Sequence, residues 1–378
     1  MTEHEKLFFS ILRSALWKTP FEIPKGFTRW NKIFKLIVAQ SQIGLVGEIM
    51  LNTPEIFEVI SRDAQKILLK LVCSTALLHM RLNNTLSLLL TKLRENGIEP
   101  VLLKGQGLSK YYPNPELRQS GDIDLYVGMD QYEKTYDVLK DFVTQIDDKA
   151  KIWDWMHFDA KLGESMIEVH HSADYMYSKK DDILYRKYML EGMTKDLRVL
   201  KFENMEVTTP NDNFNAFYIF YHLWRHFTGS GVGLRQFCDW ACFLHAYSKT
   251  LDKAYLEDIL KTFDLLKPWQ VFGCFLVEDL GLPESEFPFY NPKYINKVPL
   301  VRRYVLTDGN FGVNLKMPEN KTSGYFLRKY ESLKRHILRV IRMYLIFPKH
   351  SLKRLCSVFS SGIGQVLNDT RKSRSSKK

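Results

Sequence analysis

The segment LLKGQGLSKYYPNPELRQSGDIDL (Leu102–Leu125) contains the two patterns that decide the fold. It begins with an apolar run that ends in Lys-Gly-x-Gly, and it ends with Asp122 and Asp124 alternating with aliphatic residues. Side chains two apart on a strand point to the same face of a sheet, so we expect both carboxylates on one face and Ile123 and Leu125 on the other. A strand, a glycine turn and a second strand so close together predict a mixed α/β unit.

Helical segments are predicted on both sides of this unit. Apolar residues recur every three or four positions through residues 61–98, where Ser61 or Asp63 is a suitable N-cap and Gly97 a suitable end. Helical periodicity resumes after residue 211 and continues to about residue 280. The sheet unit is therefore expected to lie between two helical regions.

Two further segments, 155–171 and 201–210, each have the pattern of two short strands joined by a turn. The sequence thus predicts an α+β protein with a mixed-sheet core flanked by helices. The predicted parts are an N-terminal helical region at 1–97, the mixed-sheet core at 98–210, a C-terminal helical region at 211–290, and a linker, a basic amphipathic helix and a disordered tail at 291–378.

Composition restricts where the protein is expected to act. Its five cysteines are scattered and odd in number, which indicates a reducing compartment rather than a disulfide framework. The N-terminus lacks the long apolar stretch of a signal peptide, and no window has the uninterrupted apolar length of a membrane-spanning helix. We therefore expect a cytoplasmic protein, with peripheral membrane attachment as an alternative that depends on the tail.

The net charge of +11 is concentrated in residues 328–378, where fourteen Lys and Arg residues face two acids. In the basic helix predicted at about 325–346, Ile341 and Tyr344 belong to the apolar face. We favour docking of that face on the protein body. An anionic membrane surface and a nucleic acid stay open as alternative partners of the tail.

Asp122 and Asp124 predict a metal site. Two adjacent carboxylates repel each other unless a cation neutralises them, and Mg²⁺ takes oxygen ligands and often contacts phosphates as well. Two such ions can activate an attacking hydroxyl and stabilise a leaving pyrophosphate. A third carboxylate is expected on a neighbouring strand, where SMIEVHHS (165–172) provides Glu168, with His170 on the same face.

The glycine turn predicts a phosphate site. A strand, a glycine turn and the opening of a helix direct backbone N–H groups at an anion, and the glycines allow the backbone to approach closely. Arg118, in the loop before the aspartates, is suited to a bidentate contact with a triphosphate or to an ion pair with Glu116. The residues expected to contact nucleotide in this segment are Lys104, Gly105, Gln106, Gly107 and Arg118.

Two other patterns resemble metal sites but are not interpreted as such. His222 and His226 have the spacing of a zinc-protease helix, but that pattern requires a glutamate where Leu223 stands. Cys238 and Cys242 also share a helix face, and buried cysteines are usually core residues. Arg235 and Asp239, four residues apart in GLRQFCDW, are expected to form an intrahelical ion pair unless they contact a ligand.

The motifs LLKG…YYPNPELRQSGDIDLYV, IEVHH and FYHLWRHF…GLRQFCDWACFL together resemble an uncharacterised nucleotidyltransferase family of the DNA polymerase β-like superfamily, over roughly residues 5–280. The resemblance implies that fold, with Mg²⁺ bound by the catalytic residues Asp122 and Asp124 and with Gly105 in the phosphate turn. Glu168 matches the third acidic position, and we expect it to act as third metal ligand or as base for the acceptor hydroxyl. One departure is Gln106, which stands where better-known members carry Ser or Gly. Further nucleotide or acceptor contacts implied by the resemblance or by position are His170, His226 and Arg235.

The predicted activity is Mg²⁺-dependent transfer of a nucleoside monophosphate from a nucleoside triphosphate to an acceptor hydroxyl, with release of pyrophosphate. Transfer of the γ-phosphoryl group by the same fold is the alternative within enzymes. A nucleotide-binding scaffold without turnover is the alternative from another class. The sequence names neither the acceptor nor the base of the nucleotide.

Overall fold

The computed structural model describes residues 1–310, 337–338 and 340–353. Most of the predicted basic helix and all of the predicted disordered tail lie outside these residues. The N-terminal region is helical, as predicted. Its helices are α1 (Glu3–Trp17), α2 (Trp30–Ala39), α3 (Ile43–Asn52), α4 (Pro54–Phe57) and α5 (Arg62–Glu95).

Helix α5 is 34 residues long, and its two ends follow from the sequence. The Ser61 hydroxyl accepts a hydrogen bond from the Ala64 N–H at 3.3 Å, which confirms the predicted cap. Gly97, just past the other end, has φ +68°, and the Ile98 N–H donates to the Leu93 carbonyl at 3.0 Å. The left-handed glycine therefore ends the helix and turns the chain into the sheet.

The described residues form a seven-stranded mixed sheet of order β3-β4-β5-β2-β1-β7-β6. Strands β2 and β5 are parallel, β1 and β7 are parallel, and the other neighbours are antiparallel. The predicted strand pair β4–β5 is confirmed. The predicted pair β6–β7 is also present, but β6 begins at Arg198, before the predicted segment 201–210. The strands are β1 (Val101–Leu102), β2 (Asp122–Tyr126), β3 (Gln145–Ile146), β4 (His157–Leu162), β5 (Ser165–His170), β6 (Arg198–Lys201) and β7 (Glu206–Thr209).

Strand β2 places its alternating residues on two different faces. Ile123 and Leu125 join an apolar cluster with α5 and the helix that follows β2. Tyr126 points the other way, into the larger helical core, as do the two aspartates that alternate with it. The sheet is thus covered by helices on both faces, and its polar residues lie at the edge of the second helical layer.

Eight more helices follow β1 in the described residues up to Asp308, and the described part of the C-terminal segment is helical as well. They are α6 (Gln106–Ser109), α7 (Gly128–Leu139), α8 (Lys179–Gly192), α9 (Asp212–Thr228), α10 (Leu234–Tyr247), α11 (Lys253–Thr262), α12 (Leu266–Leu280) and α13 (Val298–Asp308). The N-terminal helices pack directly on the C-terminal ones, since the Trp17 Nε1–H donates to the Leu280 carbonyl at 2.5 Å. The two helical regions share one apolar core.

The described part of the C-terminal segment docks on this core, but with a different face from the one predicted. Ile341 and Tyr344 are exposed, whereas Met343 and Phe347 are buried. The Phe347 ring lies edge-on to Trp224, with centroids 4.9 Å apart. The predicted face was wrong because both faces of this helix carry apolar residues, and docking on the body buries Val340 and Met343 instead.

None of the helices in the described ranges is long and apolar enough to cross a membrane. The cysteines within these ranges are unpaired: Cys73 is exposed, and Cys238, Cys242 and Cys274 are buried. The buried positions of Cys238 and Cys242 agree with their interpretation as core residues.

Candidate active site

A cleft of about 280 Å³ opens between the polar face of β2 and β5 and the helices α9 and α10. Strand β1 leads into it through the glycine turn, and the loop before β2 closes one side. The sequence-predicted residues that line the cleft are Lys104, Gly105, Arg118, Asp122, Asp124, Glu168, His226 and Arg235. Three predicted residues, Gln106, Gly107 and His170, lie around it rather than in its lining.

The carboxylates of Asp122, Asp124 and Glu168 meet because of the strand register. In the parallel pair of β2 and β5, Asp124 lies directly beside Glu168. Asp122 is two residues earlier on the same face, and one oxygen of each carboxylate lies within 4.8 Å of the others. Oxygen ligands at this spacing suit a hard divalent cation such as Mg²⁺.

The two aspartates have opposite electrostatic environments. The negative charge of Asp124, together with burial, raises the pKa of Asp122 to about 6. Burial also opposes ionisation of Asp124, but Lys104 and the hydrogen bond from His170 outweigh it and hold the pKa of Asp124 below its usual range. Lys104 Nζ lies 3.4 Å from Asp124 Oδ1. Lys104 thus favours the charged form of Asp124, whereas its effect on Asp122 does not offset the repulsion from Asp124.

His170 lies beneath this site on β5 and is almost fully buried. Its Nε2 is 3.2 Å from Asp124 Oδ1 and 3.3 Å from Glu168 Oε2. Burial lowers the pKa of His170, but the hydrogen bonds to Asp124 and Glu168 outweigh it and raise the pKa above its usual value. His170 therefore positions two of the three carboxylates.

The glycine turn brings the backbone against β2. Gly105 has φ +50° and ψ −118°, and a Cβ there would lie 3.2 Å from the Asp122 carbonyl oxygen. The Gln106 side chain points away from the cleft, since its amide donates to Asn83 Oδ1 at 3.2 Å and also contacts His79. Helix α6, which begins at Gln106, has only four residues, so its dipole is small. The close approach at this turn depends on Gly105.

Arg118 is engaged by Asp239, not by Glu116. Its Nε and Nη2 donate to Asp239 Oδ1 and Oδ2 at 2.6 and 2.7 Å, and its Nη1 donates to Ser120 Oγ at 2.7 Å. The Tyr112 hydroxyl also donates to Asp239 Oδ1 at 2.7 Å. This buried cluster joins the loop before β2 to α10, so it fixes one wall of the cleft to the other.

Arg118 donates to both oxygens of Asp239, the residue predicted to pair with Arg235. The Arg235 Nη1 donates to the Gln119 carbonyl at 3.0 Å. Burial, followed by the positive charge of Arg118, lowers the pKa of Arg235. The guanidinium group thus lies where additional negative charge would be favourable, and its contact with nucleotide stays a prediction.

Helix α9 contributes two histidines to the wall opposite the strands. His222 Nε2 and His226 Nε2 are 3.1 Å apart, and His222 Nδ1 is 3.8 Å from Asp174 Oδ2. Burial, followed by the charge of Lys104, holds the pKa of His222 well below its usual value and lowers that of His226 to about 3. Both rings are therefore neutral near pH 7.

Residues 28–278 match the model of a protein family described as an uncharacterised nucleotidyltransferase. The chain belongs to this nucleotidyltransferase family. No curated protein and no solved structure matches the chain at a significant level. The range matched by the family model contains every cleft residue discussed above, from Lys104 to Asp239.

Family membership confirms the resemblance found in the sequence and supports nucleotidyl transfer as the general class of reaction. The seven-stranded mixed sheet with flanking helices is compatible with an α+β nucleotidyltransferase. The acidic cluster is compatible with metal binding. The individual ligand contacts of the predicted residues stay predictions.

Sequence reasoning missed two residues of the cleft wall. His222 was set aside with the protease pattern, although an i, i+4 histidine pair also presents both rings to one side of a helix. Asp239 was assigned to Arg235, its neighbour on the helix, whereas its partner Arg118 is 121 residues away in sequence. The histidine spacing was a usable signal, but no local pattern indicates the partner of Asp239.

Proposed function

We propose that this protein is a Mg²⁺-dependent nucleotidyltransferase that transfers a nucleoside monophosphate from a nucleoside triphosphate to an acceptor hydroxyl. We also propose that its core has the DNA polymerase β-like fold. The observation that carries the proposal is the register of β2 and β5, which sets Asp124 beside Glu168 and places Asp122 two residues away, all in one cleft. Membership of a nucleotidyltransferase family supports the same reaction.

The charge of the aspartates supports the metal site. Asp122 resists ionisation because Asp124 is already charged, so a dication that both share would relieve an unfavourable interaction. The donors of Asp122, Asp124 and Glu168 are all oxygens, which suits Mg²⁺. Bound there, Mg²⁺ would neutralise charge on the polyphosphate and favour ionisation of the acceptor hydroxyl.

Lys104 and Gly105 are proposed to position the triphosphate. Lys104 already lies beside Asp124, and its ammonium group would also face phosphate oxygens in the cleft. Gly105 lacks the Cβ that would crowd the approach of the turn to β2. Arg235 adds positive charge on the opposite side, next to the paired Arg118, and most of the rate enhancement would come from such positioning and electrostatic stabilisation.

In the proposed reaction the acceptor oxygen attacks the α-phosphorus, the bond from that phosphorus to the bridging oxygen breaks, and pyrophosphate leaves. The hydroxyl proton needs an acceptor. Each carboxylate of the cluster offers one oxygen to the ion, so we assign the proton to the second oxygen of Glu168.

A thermal-unfolding experiment tests the donor site. Purified protein is heated with each of ATP, GTP, CTP and UTP, with and without Mg²⁺, beside the double variant Asp122→Asn/Asp124→Asn. A nucleotide at about a hundred times its Kd should add roughly 2.7 kcal/mol of stability, and only when Mg²⁺ is present. The double variant loses the Lys104–Asp124 ion pair as well as the repulsion between the aspartates, so its own unfolding without ligand is the baseline, and it should lose the nucleotide effect.

A matched control is Asp141→Asn/Asp154→Asn, which removes two exposed carboxylates outside the cleft and should keep the nucleotide effect. Equal stabilisation of wild type and the Asp122/Asp124 variant would contradict the proposed site. With the donor identified, α- and γ-labelled nucleotide distinguish the two transfer reactions. Labelled product from the α-position with pyrophosphate supports nucleotidyl transfer, and label from the γ-position with a nucleoside diphosphate indicates a kinase.

A further inference from the structure

A second group of ligand-type side chains adjoins the three carboxylates. His157, Glu168 and His170 each place one ligand atom within 4.8 Å of the others. We propose that these side chains form a separate site for a transition-metal dication of the Zn²⁺ or Mn²⁺ type. This site is distinct from the all-oxygen site that Mg²⁺ suits, and neither histidine lines the nucleotide cleft.

Strand pairing holds the three groups on one face of the sheet. His157 on β4 lies directly opposite His170 on β5, and Asp159 lies directly opposite Glu168. Residues opposite each other on antiparallel strands share a face, as do residues two apart on one strand. Two histidines and two carboxylates therefore form the corners of a square on rigid backbone.

The distances are those of a nearly formed ligand set. His170 Nε2 lies 3.3 Å from Glu168 Oε2, and His157 Nε2 lies 3.9 Å from the same oxygen. Two ligands on a tetrahedral Zn²⁺, each about 2.1 Å from the ion, are roughly 3.4 Å apart. Small side-chain rotations therefore suffice to bring the three ligand atoms onto one ion.

Asp159 is suited to the fourth position. Its Oδ1 lies 3.3 Å from His157 Nε2, and Asp159 pairs directly with Glu168 across the two strands. The Oδ1 atom is buried and accepts no hydrogen bond from the described residues. A metal ion would provide the interaction that this buried oxygen lacks.

The two sites differ in their donor atoms, so we expect them to bind different ions. Imidazole nitrogen is a good ligand for Zn²⁺ and its neighbours in the first transition series, whereas Mg²⁺ demands octahedral oxygen ligands and keeps several waters. Glu168 belongs to both ligand sets. It would bridge the two ions when both sites are filled, so the occupancy of one site would alter the affinity of the other.

Calorimetric titration of the metal-free chain with ZnCl₂ in excess MgCl₂ tests this proposal. Wild type should bind Zn²⁺ despite the Mg²⁺, and Asp122→Asn should bind it equally well. His157→Gln should weaken Zn²⁺ binding by at least about tenfold, since it removes a ligand. The matched control is His171→Gln, because His171 is also a strand-end histidine but contacts the Trp155 carbonyl and the ring of Trp153 instead.

A spectroscopic measurement on wild type keeps the test independent of any variant. Mn²⁺-loaded protein should show electron spin-echo modulation from directly bound imidazole nitrogen, and this modulation should diminish in His157→Gln. Zn²⁺ binding that Mg²⁺ displaces, that survives His157→Gln unchanged, or that disappears in Asp122→Asn would overturn the proposal, as would an echo without nitrogen modulation. None of these measurements involves nucleotide, so they test the metal site independently of the proposed transferase activity.

Discussion

At the residue scale, Gly105 shows how one backbone conformation supports the candidate active site. Its φ of +50° with ψ of −118° is a combination that residues with a side chain rarely adopt, and a Cβ would also press on the Asp122 carbonyl oxygen. Glycine at this position is thus required by the geometry of the turn. This turn also holds Lys104 beside Asp124.

Gly105→Ala is expected to destabilise the fold by about 1–3 kcal/mol, the usual cost of a strained backbone conformation. It should also weaken nucleotide binding, because the turn must move away from β2. Urea unfolding and nucleotide titration measure the two effects. Gly121→Ala is the control for stability, since a Cβ at Gly121 meets no atom within 4 Å. Wild-type stability in Gly105→Ala would show that the turn relaxes without cost.

The buried ion pair of Arg118 and Asp239 gives a second prediction at this scale. Asp239→Asn should destabilise the protein by about 3–5 kcal/mol, because it leaves the buried guanidinium without its counter-charge. Chemical denaturation measures the loss. The exposed pair of Lys195 and Glu191 is the comparison, and Glu191→Gln should change stability little. Similar losses in the two variants would argue against a structural role for the buried pair.

At the scale of single elements, helix α5 supports the sheet from the face opposite the cleft. Its buried residues contact Ile123, Leu125 and Ile167, which alternate with the acidic residues on β2 and β5. The same strands therefore carry apolar core contacts on one face and the candidate metal ligands on the other. Packing of α5 fixes the register that brings the carboxylates together.

Two adjacent leucines of α5 allow a matched test. Leu89 is fully buried under the sheet, and Leu88 is largely exposed. Leu89→Ala should cost about 2–5 kcal/mol through lost burial and a residual cavity, whereas Leu88→Ala should be nearly neutral. Thermal and urea unfolding of the two variants measure the difference. Equal effects would mean that α5 does not pack on the sheet in this register.

The elements show what a single sequence can predict here and what it cannot. The long helix, the two strand pairs and the alternation of β2 follow from local periodicity and glycine positions, and the structure confirms them. The partner of Arg118 and the square that includes His157 arise from contacts between distant segments. Local patterns carry no information about such contacts. The C-terminal helix face was predicted wrongly because both of its faces carry apolar residues, and only docking on the body selects one.

At the scale of the whole molecule, helices from both ends of the chain enclose the sheet in one shared core. Trp17 in α1 donates to the Leu280 carbonyl, and Phe347 packs on Trp224 and Phe272. The C-terminal segment is thus part of the helical layer that forms the outer wall of the cleft. The contribution of this segment to the free energy of unfolding can be measured directly.

Phe347→Ala should destabilise the protein by about 3–5 kcal/mol, because a buried aromatic side chain is lost from this core. Leu345→Ala is the matched control, since Leu345 is exposed on the same segment and should matter little. Differential scanning calorimetry compares the two. No change in Phe347→Ala would indicate that the segment is detached from the body in solution.

Helix α9 connects the cleft to the C-terminal segment. It presents His222 and His226 to the cleft and, on its other side, supports Phe347 through Trp224. A ligand that changes the position of α9 will therefore change how tightly the C-terminal segment is held. If the two are coupled in this way, linkage requires that a molecule that captures residues 340–353 changes the affinity of the cleft for its ligand by the same factor. The docked segment would then be a point from which the affinity of the cleft can be adjusted.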